Sequence, residues 1–180
     1  GAGRDYIKIH SDYGGKGVTM ENEPPAHKKK RYADSEAAGL IRPLYIYDVA
    51  NNCFSCHTVP NEKLVNVGGH PAGSSFDLVA WSQGEVRHNL WYTEGKQNKD
   101  ASANRKRLMF VVGLAVELET ALRAVGKATE KKAYAVAMAR RAAAARKRIA
   151  GAARILSGVP ELKAASDAAQ SAGLKLNNDA

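Results

Sequence analysis

The chain of 180 residues has two cysteines, three phenylalanines and two tryptophans. No apolar run reaches the roughly 18 residues that a membrane-spanning helix needs, so a transmembrane segment is not expected. The opening Gly1-Ala2-Gly3-Arg4-Asp5 has no apolar signal region. The hydrophobic fraction is an ordinary 44%, but much of it is alanine, which leaves little aromatic bulk for a core. Acid is missing from residues 131–160, where Lys131, Lys132, Arg140, Arg141, Arg146, Lys147, Arg148 and Arg154 account for most of the net charge of +9.

The two cysteines fall in Asn52-Cys53-Phe54-Ser55-Cys56-His57, a C-x-x-C-H run. This is the attachment signature of a c-type haem. Two thiols at that spacing add to the haem vinyl groups as thioethers, and the adjacent imidazole reaches the iron as proximal ligand. Cys53, Cys56 and His57 are therefore the candidate cofactor residues, with one haem c per chain as the cofactor. A bound haem would also form much of the core around the motif. Two other readings of the pair are weaker. A thioredoxin-like dithiol requires a βαβ setting that Tyr45 to Asn52 does not lead into, and a zinc site lacks a second cysteine pair. Covalent haem attachment takes place outside the bacterial cytoplasm. The motif thus implies export to the periplasm, and a start without a signal suggests a processed or truncated sequence.

Periodicity points to a mainly α fold with few or no strands: a loop-and-helix haem segment over 1–98, then an antiparallel helical hairpin with a short terminal helix over 99–180, packed together as one unit. Residues 1–31 read as irregular, with Pro24-Pro25 blocking a helix, and 33–40 as a short helix. Helical turns from Leu44 enter the motif. Ser74 or Ser75 is a plausible cap for a helix through Leu90 that carries Trp81 and His88. From Arg105, the residues Leu108, Val111, Val112, Ala115, Leu118, Leu122 and Val125 form a stripe, with Gly126 as a possible cap. Tyr134, Met138, Ala142, Ala145, Ile149, Ala152 and Leu156 form a second stripe, whose alanines permit close approach while the arginines of this helix face outward. Pro160 opens a last helix to about Gly173.

The sixth position of the iron decides between electron carriage and catalysis. His10, His27, His70, His88, Met20, Met109 and Met138 can be considered for it. Met109 and Met138 fall on or beside apolar stripes, where methionine is usually core filler. His70, in a glycine-rich loop, is the first choice for distal ligand, and His88, beside Trp81 and Trp91, is the alternative. A bis-His iron suits electron transfer, and no convergent acid and base groups argue for catalysis.

Cys53-Phe54-Ser55-Cys56-His57-Thr58-Val59-Pro60-Asn61-Glu62-Lys63-Leu64-Val65-Asn66-Val67-Gly68-Gly69-His70, followed by Trp81-Ser82-Gln83-Gly84-Glu85-Val86-Arg87-His88-Asn89, resembles a family of bacterial multihaem c-type cytochromes. These are related to the tetrahaem cytochrome that accepts electrons from hydroxylamine oxidoreductase. Gly1 to His10, with Asp12-Tyr13-Gly14-Gly15, resembles the segment after an earlier haem motif in such proteins. The resemblance covers roughly residues 1–125 and implies periplasmic electron transfer through stacked, bis-His haems. It also implies that His10 serves this haem or a neighbouring one. Only one motif is present, so His10, His70 and His88 cannot all bind one iron. The chain is then the carboxy-terminal part of a longer multihaem protein, with further haems from a missing segment or partner chain, or some of these imidazoles are free.

Electron carriage implies redox partners or a multihaem assembly. The basic helix 131–154 is a possible dock for an acidic partner, and nucleic acid is not expected. The alternatives are a five-coordinate haem enzyme or sensor for a small nitrogen species, and a structural haem subunit of a larger complex.

Overall fold

The computed structural model describes residues 3–83 and 100–177. The fold is mainly α, and no strand occurs among the described residues. The chain divides into two compact units, 1–45 and 46–180, so the C-x-x-C-H run and the hairpin belong to the same unit. The expected junction at 98/99 touches residues outside those described.

The first unit contains a 3-10 turn, Gly3–Asp5, and helix α1, Pro25–Ala37. Proline was expected to exclude helix here. Instead Pro25 opens it, because the first helical position needs no amide donor and favours the fixed proline φ. The cluster Lys28 to Arg31 thus lies on a helix. Arg31 turns inward and holds the buried Glu23 carboxylate through Nε and Nη2 at 2.8 and 2.5 Å. The Nδ1–H of His27 donates to the same carboxylate at 2.8 Å. Arg31 also donates to the His10 carbonyl at 2.6 Å and lies over the Tyr13 ring. One buried carboxylate therefore gathers the loop and helix of this unit.

In the second unit, α2 spans Ile46–His57 and buries Ile46, Val49, Ala50 and Phe54 at helical spacing. Helices α3 (Glu62–Asn66) and α4 (Leu78–Gln83) follow. The side chain of Asp77 caps α4, accepting from the Ala80 amide at 2.9 Å. The cap expected at Ser74 or Ser75 therefore falls to Asp77, which leaves Ser74 for other contacts. The continuation of α4 to Leu90, including His88 and Trp91, lies outside the described residues.

Helix α5, Ala103–Lys127, is capped by Ser102, which accepts from the Arg105 amide at 3.2 Å. It is buried on two faces. Met109 and Val116, with Val112 beside them, join Phe54, Phe76 and Leu78, whereas Leu114 and Leu118 join Ala145, Ile149 and Leu162. The expected single stripe is thus only part of the buried surface, and its first member, Leu108, is exposed because the core turns to Met109. Gly126 is not the cap, since α5 runs on to Lys127 and turns out at Ala128.

Helix α6, Ala133–Ile155, returns antiparallel. Val125 meets Tyr134 and Met138 near the turn, and Leu118 meets Ala145 and Ile149 further along. Ala142 and Ala145 are buried, so small side chains line the close approach. Helix α7, Pro160–Ser171, opens on Pro160 as its sequence suggests and packs Leu162 and Ala169 on this core. Glu62 ties α3 to the turn, accepting from the amides of Thr129 and Glu130 at 2.9 and 3.0 Å. These donors, Thr129 foremost, hold its carboxyl below the usual range.

Two outcomes follow. Ala145→Leu overfills the seam and costs about 1–3 kcal/mol in urea unfolding, whereas Ala143→Leu on the exposed side stays within about 0.5 kcal/mol of wild type. In the first unit, hydrogen bonding to Arg31 chiefly, and then to His27, lowers the Glu23 carboxyl from 4.5 to about 2. A depressed carboxyl stabilises fully above its unfolded value, and that support is lost as pH falls from about 4.5 through 2. Acid titration followed by circular dichroism should show this limb flattened in Glu23→Gln, and parallel curves for the two proteins would contradict it.

Candidate functional site

Cys53, Cys56 and His57 occupy positions i, i+3 and i+4 of α2 and so share one face of the helix. Phe54, about 100° round the helix from Cys53, is buried in the core, where it anchors the helix. Cys53 is half-buried beside the cluster of Phe54, Phe76 and Leu78, and Cys56 is exposed. Burial, with the neighbouring Cys56 thiol second, pushes the Cys53 thiol above its ordinary value.

The His57 ring stacks on Phe76, with centroids 4.3 Å apart and planes 24° from parallel, and Trp81 lies 5.3 Å away, tilted. Phe76 meets Phe54 edge-on at 5.0 Å, so the aromatic floor under the imidazole is continuous with the core. The helix stops sharply at His57. Val59 takes φ 48°, a costly conformation for a β-branched side chain, and Pro60 prevents continuation.

The segment after His70 closes on this helix end. The Ser74 amide donates to the His57 carbonyl at 3.1 Å, and Ser74 Oγ lies 3.4 Å from His57 Nδ1. Gly73 makes the approach possible: its φ is +81°, and a Cβ there would stand 2.7 Å from the His57 carbonyl oxygen and 3.1 Å from Arg141 Nη1. Arg141 of α6 secures the loop from behind, donating to the Ser74 carbonyl at 3.0 Å.

Arg141 corrects one expectation, that the arginines of this helix face outward. Its side chain is only 13% exposed, with Nε 3.3 Å from Glu117 of α5 and the guanidinium over the Phe54 ring. Glu117 also accepts from Arg148 at 2.6 Å, and Arg148 lies 3.7 Å from Asp77. Arg146 is partly buried and bonds the Ala172 carbonyl. Six cations of the run remain exposed: Lys131, Lys132, Arg140, Lys147, Arg148 and Arg154. Lys132 is paired with Glu130.

The other candidates are dispersed. His70 is exposed, and its Nδ1–H donates to the Pro71 carbonyl at 2.8 Å. His10 lies in the first unit, where its Nδ1–H donates to the Tyr6 carbonyl at 3.1 Å. Met109 and Met138 are fully buried core residues, as their positions suggest, and Met20 is exposed. Among the described residues no three His, Cys, Asp or Glu side chains converge as a metal centre. None of the described helices is long and apolar enough to cross a membrane.

Ser74, Phe76, Glu117 and Arg141 are the site residues that sequence reasoning missed. A faint signal exists for two of them. Arg141 stands three residues after Met138 and four before Ala145, at the edge of an apolar stripe, and Glu117 is an acid beside Leu118 on another. No family model, curated protein or solved structure matches the chain.

Gly73→Ala adds a close contact to its positive φ, whereas Gly69→Ala, at φ +70° in open space, adds φ strain alone. Each incurs about 1–3 kcal/mol of backbone strain. The Gly73 variant should unfold at distinctly lower urea, and equal midpoints would show that the loop does not close on His57.

Proposed function

We propose that the chain is a c-type cytochrome, or the haem domain of a multihaem one, that carries electrons in the periplasm or another extracytoplasmic compartment. The observation that carries this reading is the shared helix face of Cys53, Cys56 and His57, with the imidazole already braced by Phe76, Trp81 and Ser74.

The residues present suit a covalently attached haem. Both thiols and the imidazole lie on one side of α2, and the aromatic floor beside them is apolar. With Nδ1–H donating to Ser74 Oγ, His57 would present Nε2 to the iron, the arrangement in which a second group fixes tautomer and orientation. Cys53 and Cys56 would hold the porphyrin through thioethers, and His57 would be the proximal ligand. A bound haem supplies a one-electron Fe(III)/Fe(II) couple, accepting an electron from a reduced protein partner and passing it to an oxidised one. The chain's own work is to orient the imidazole, keep water from its stacked face and set the local charge. His70 is the proposed distal ligand, since its Nδ1–H is committed to Pro71 and its Nε2 is not. The alternative His88 is outside the described residues. The exposed cations of α6 are proposed to meet an acidic redox partner.

Intact mass and absorption and EPR spectra of the purified protein test this reading. The expected result is one covalent haem, lost in Cys53→Ala/Cys56→Ala, with a low-spin spectrum indifferent to CO. His70→Ala should turn the iron high-spin and open it to CO. A wild-type iron that is high-spin and binds CO would replace electron carriage with ligand chemistry at an open site. A chain without haem would end the cytochrome reading.

A further inference from the structure

The alanine- and arginine-rich helix α6 follows the resembling segment and has no part in the motif itself. Its inward-turned Arg141 nevertheless reaches the motif. Arg141 Nη1 donates to the Ser74 carbonyl at 3.0 Å, while Ser74 donates its amide to the His57 carbonyl and accepts from His57 Nδ1–H at Oγ. The guanidinium is thus separated from the imidazole by a single residue. It is also poorly neutralised. Nε and Nη2 are buried with no hydrogen-bond acceptor, and the one acid against it, Glu117, is shared with Arg148. Asp77 pairs with Arg148 and not with Arg141.

We infer that Arg141 is a positioning residue for His57, and that its buried charge raises the reduction potential of the iron that His57 ligates. The inference rests on the haem reading above. The positioning half is geometric: Arg141 fixes the Ser74 carbonyl, Ser74 fixes the imidazole plane, and Gly73 admits the guanidinium to this place. The electrostatic half follows from charge. Reduction adds one electron and removes one positive charge from the iron, so a fixed cation in a poorly solvated setting favours the ferrous state. Exposed cations elsewhere on α6 are screened by water and salt and act on the iron much less.

The test is redox potentiometry on the full-length holoprotein, with Arg141→Gln, Arg141→Lys and the exposed Lys163→Gln as the control. Arg141→Gln should favour the ferric state by about tenfold, a midpoint fall of about 59 mV for a one-electron couple. Arg141→Lys, which keeps the charge, should recover most of that fall, and Lys163→Gln should leave the midpoint in place. An unchanged midpoint in Arg141→Gln, or an equal fall in Lys163→Gln, overturns the inference while the cytochrome reading stands. If Arg141→Gln does not fold, Ser74→Ala decides. It keeps the charge and removes the Nδ1 partner, so the low-spin EPR g values should shift, and an unaltered spectrum overturns the positioning role. A wild-type chain without covalent haem, read from its intact mass, overturns the haem reading and this inference together.

Discussion

Withdrawing a guanidinium from water costs several kcal/mol unless other groups take the place of water. Arg141 meets that demand by drawing three separate stretches together: the Glu117 carboxylate of α5, the Ser74 carbonyl after the glycine-rich loop, and the face of Phe54 on the motif helix. Burial leaves its pKa lowered, opposed by the attraction of Glu117, so the compensation is incomplete. A residue in this position constrains everything it touches. The loop cannot drift from the end of α2, and α2 cannot rotate without moving Phe54 off the guanidinium.

This arrangement depends on the alanine seam. Ala142 and Ala145 bring the backbones of α5 and α6 close, which lets an arginine on α6 extend past the seam to α2 and the loop beyond it. Larger residues there would hold α6 further out, and the side chain would fall short of Ser74. Glu62 and Asn66, on the short helix that follows the motif, work toward the same end. They accept from the amides of Thr129, Glu130 and Tyr134 and so fasten α3 to the start of α6. Two stretches that follow the helix end at His57, α3 and the loop at Ser74, are therefore attached to α6 and the turn that leads into it.

How far the sequence disclosed this differs by residue. The motif face is legible because C-x-x-C-H is local, and α6 is legible because Met138, Ala142, Ala145 and Ile149 repeat at helical spacing. Helix α1 is not, because Pro24-Pro25 carries the same residues whether it stops a helix or starts one; the outcome turns on which proline takes the first position. The inward turn of Arg141 depends on Glu117, a partner brought near only by the hairpin, while a run of cations ordinarily reads as a solvated face. Ser74 looked like a helix cap because its chemistry suits one, yet Asp77 caps α4 and Ser74 serves the end of α2 instead.

The unequal burial of the two sulfurs has a kinetic side. On the folded chain Cys56 is open to solvent while Cys53 is tucked beside the aromatic cluster, where burial makes its thiol harder to ionise. Any reagent that meets the finished fold is thus offered one sulfur before the other. A reagent that must engage both sulfurs is less hindered when the helix is apart from Phe76 and Leu78, so the packing of a single side chain decides which state of the chain can react at both.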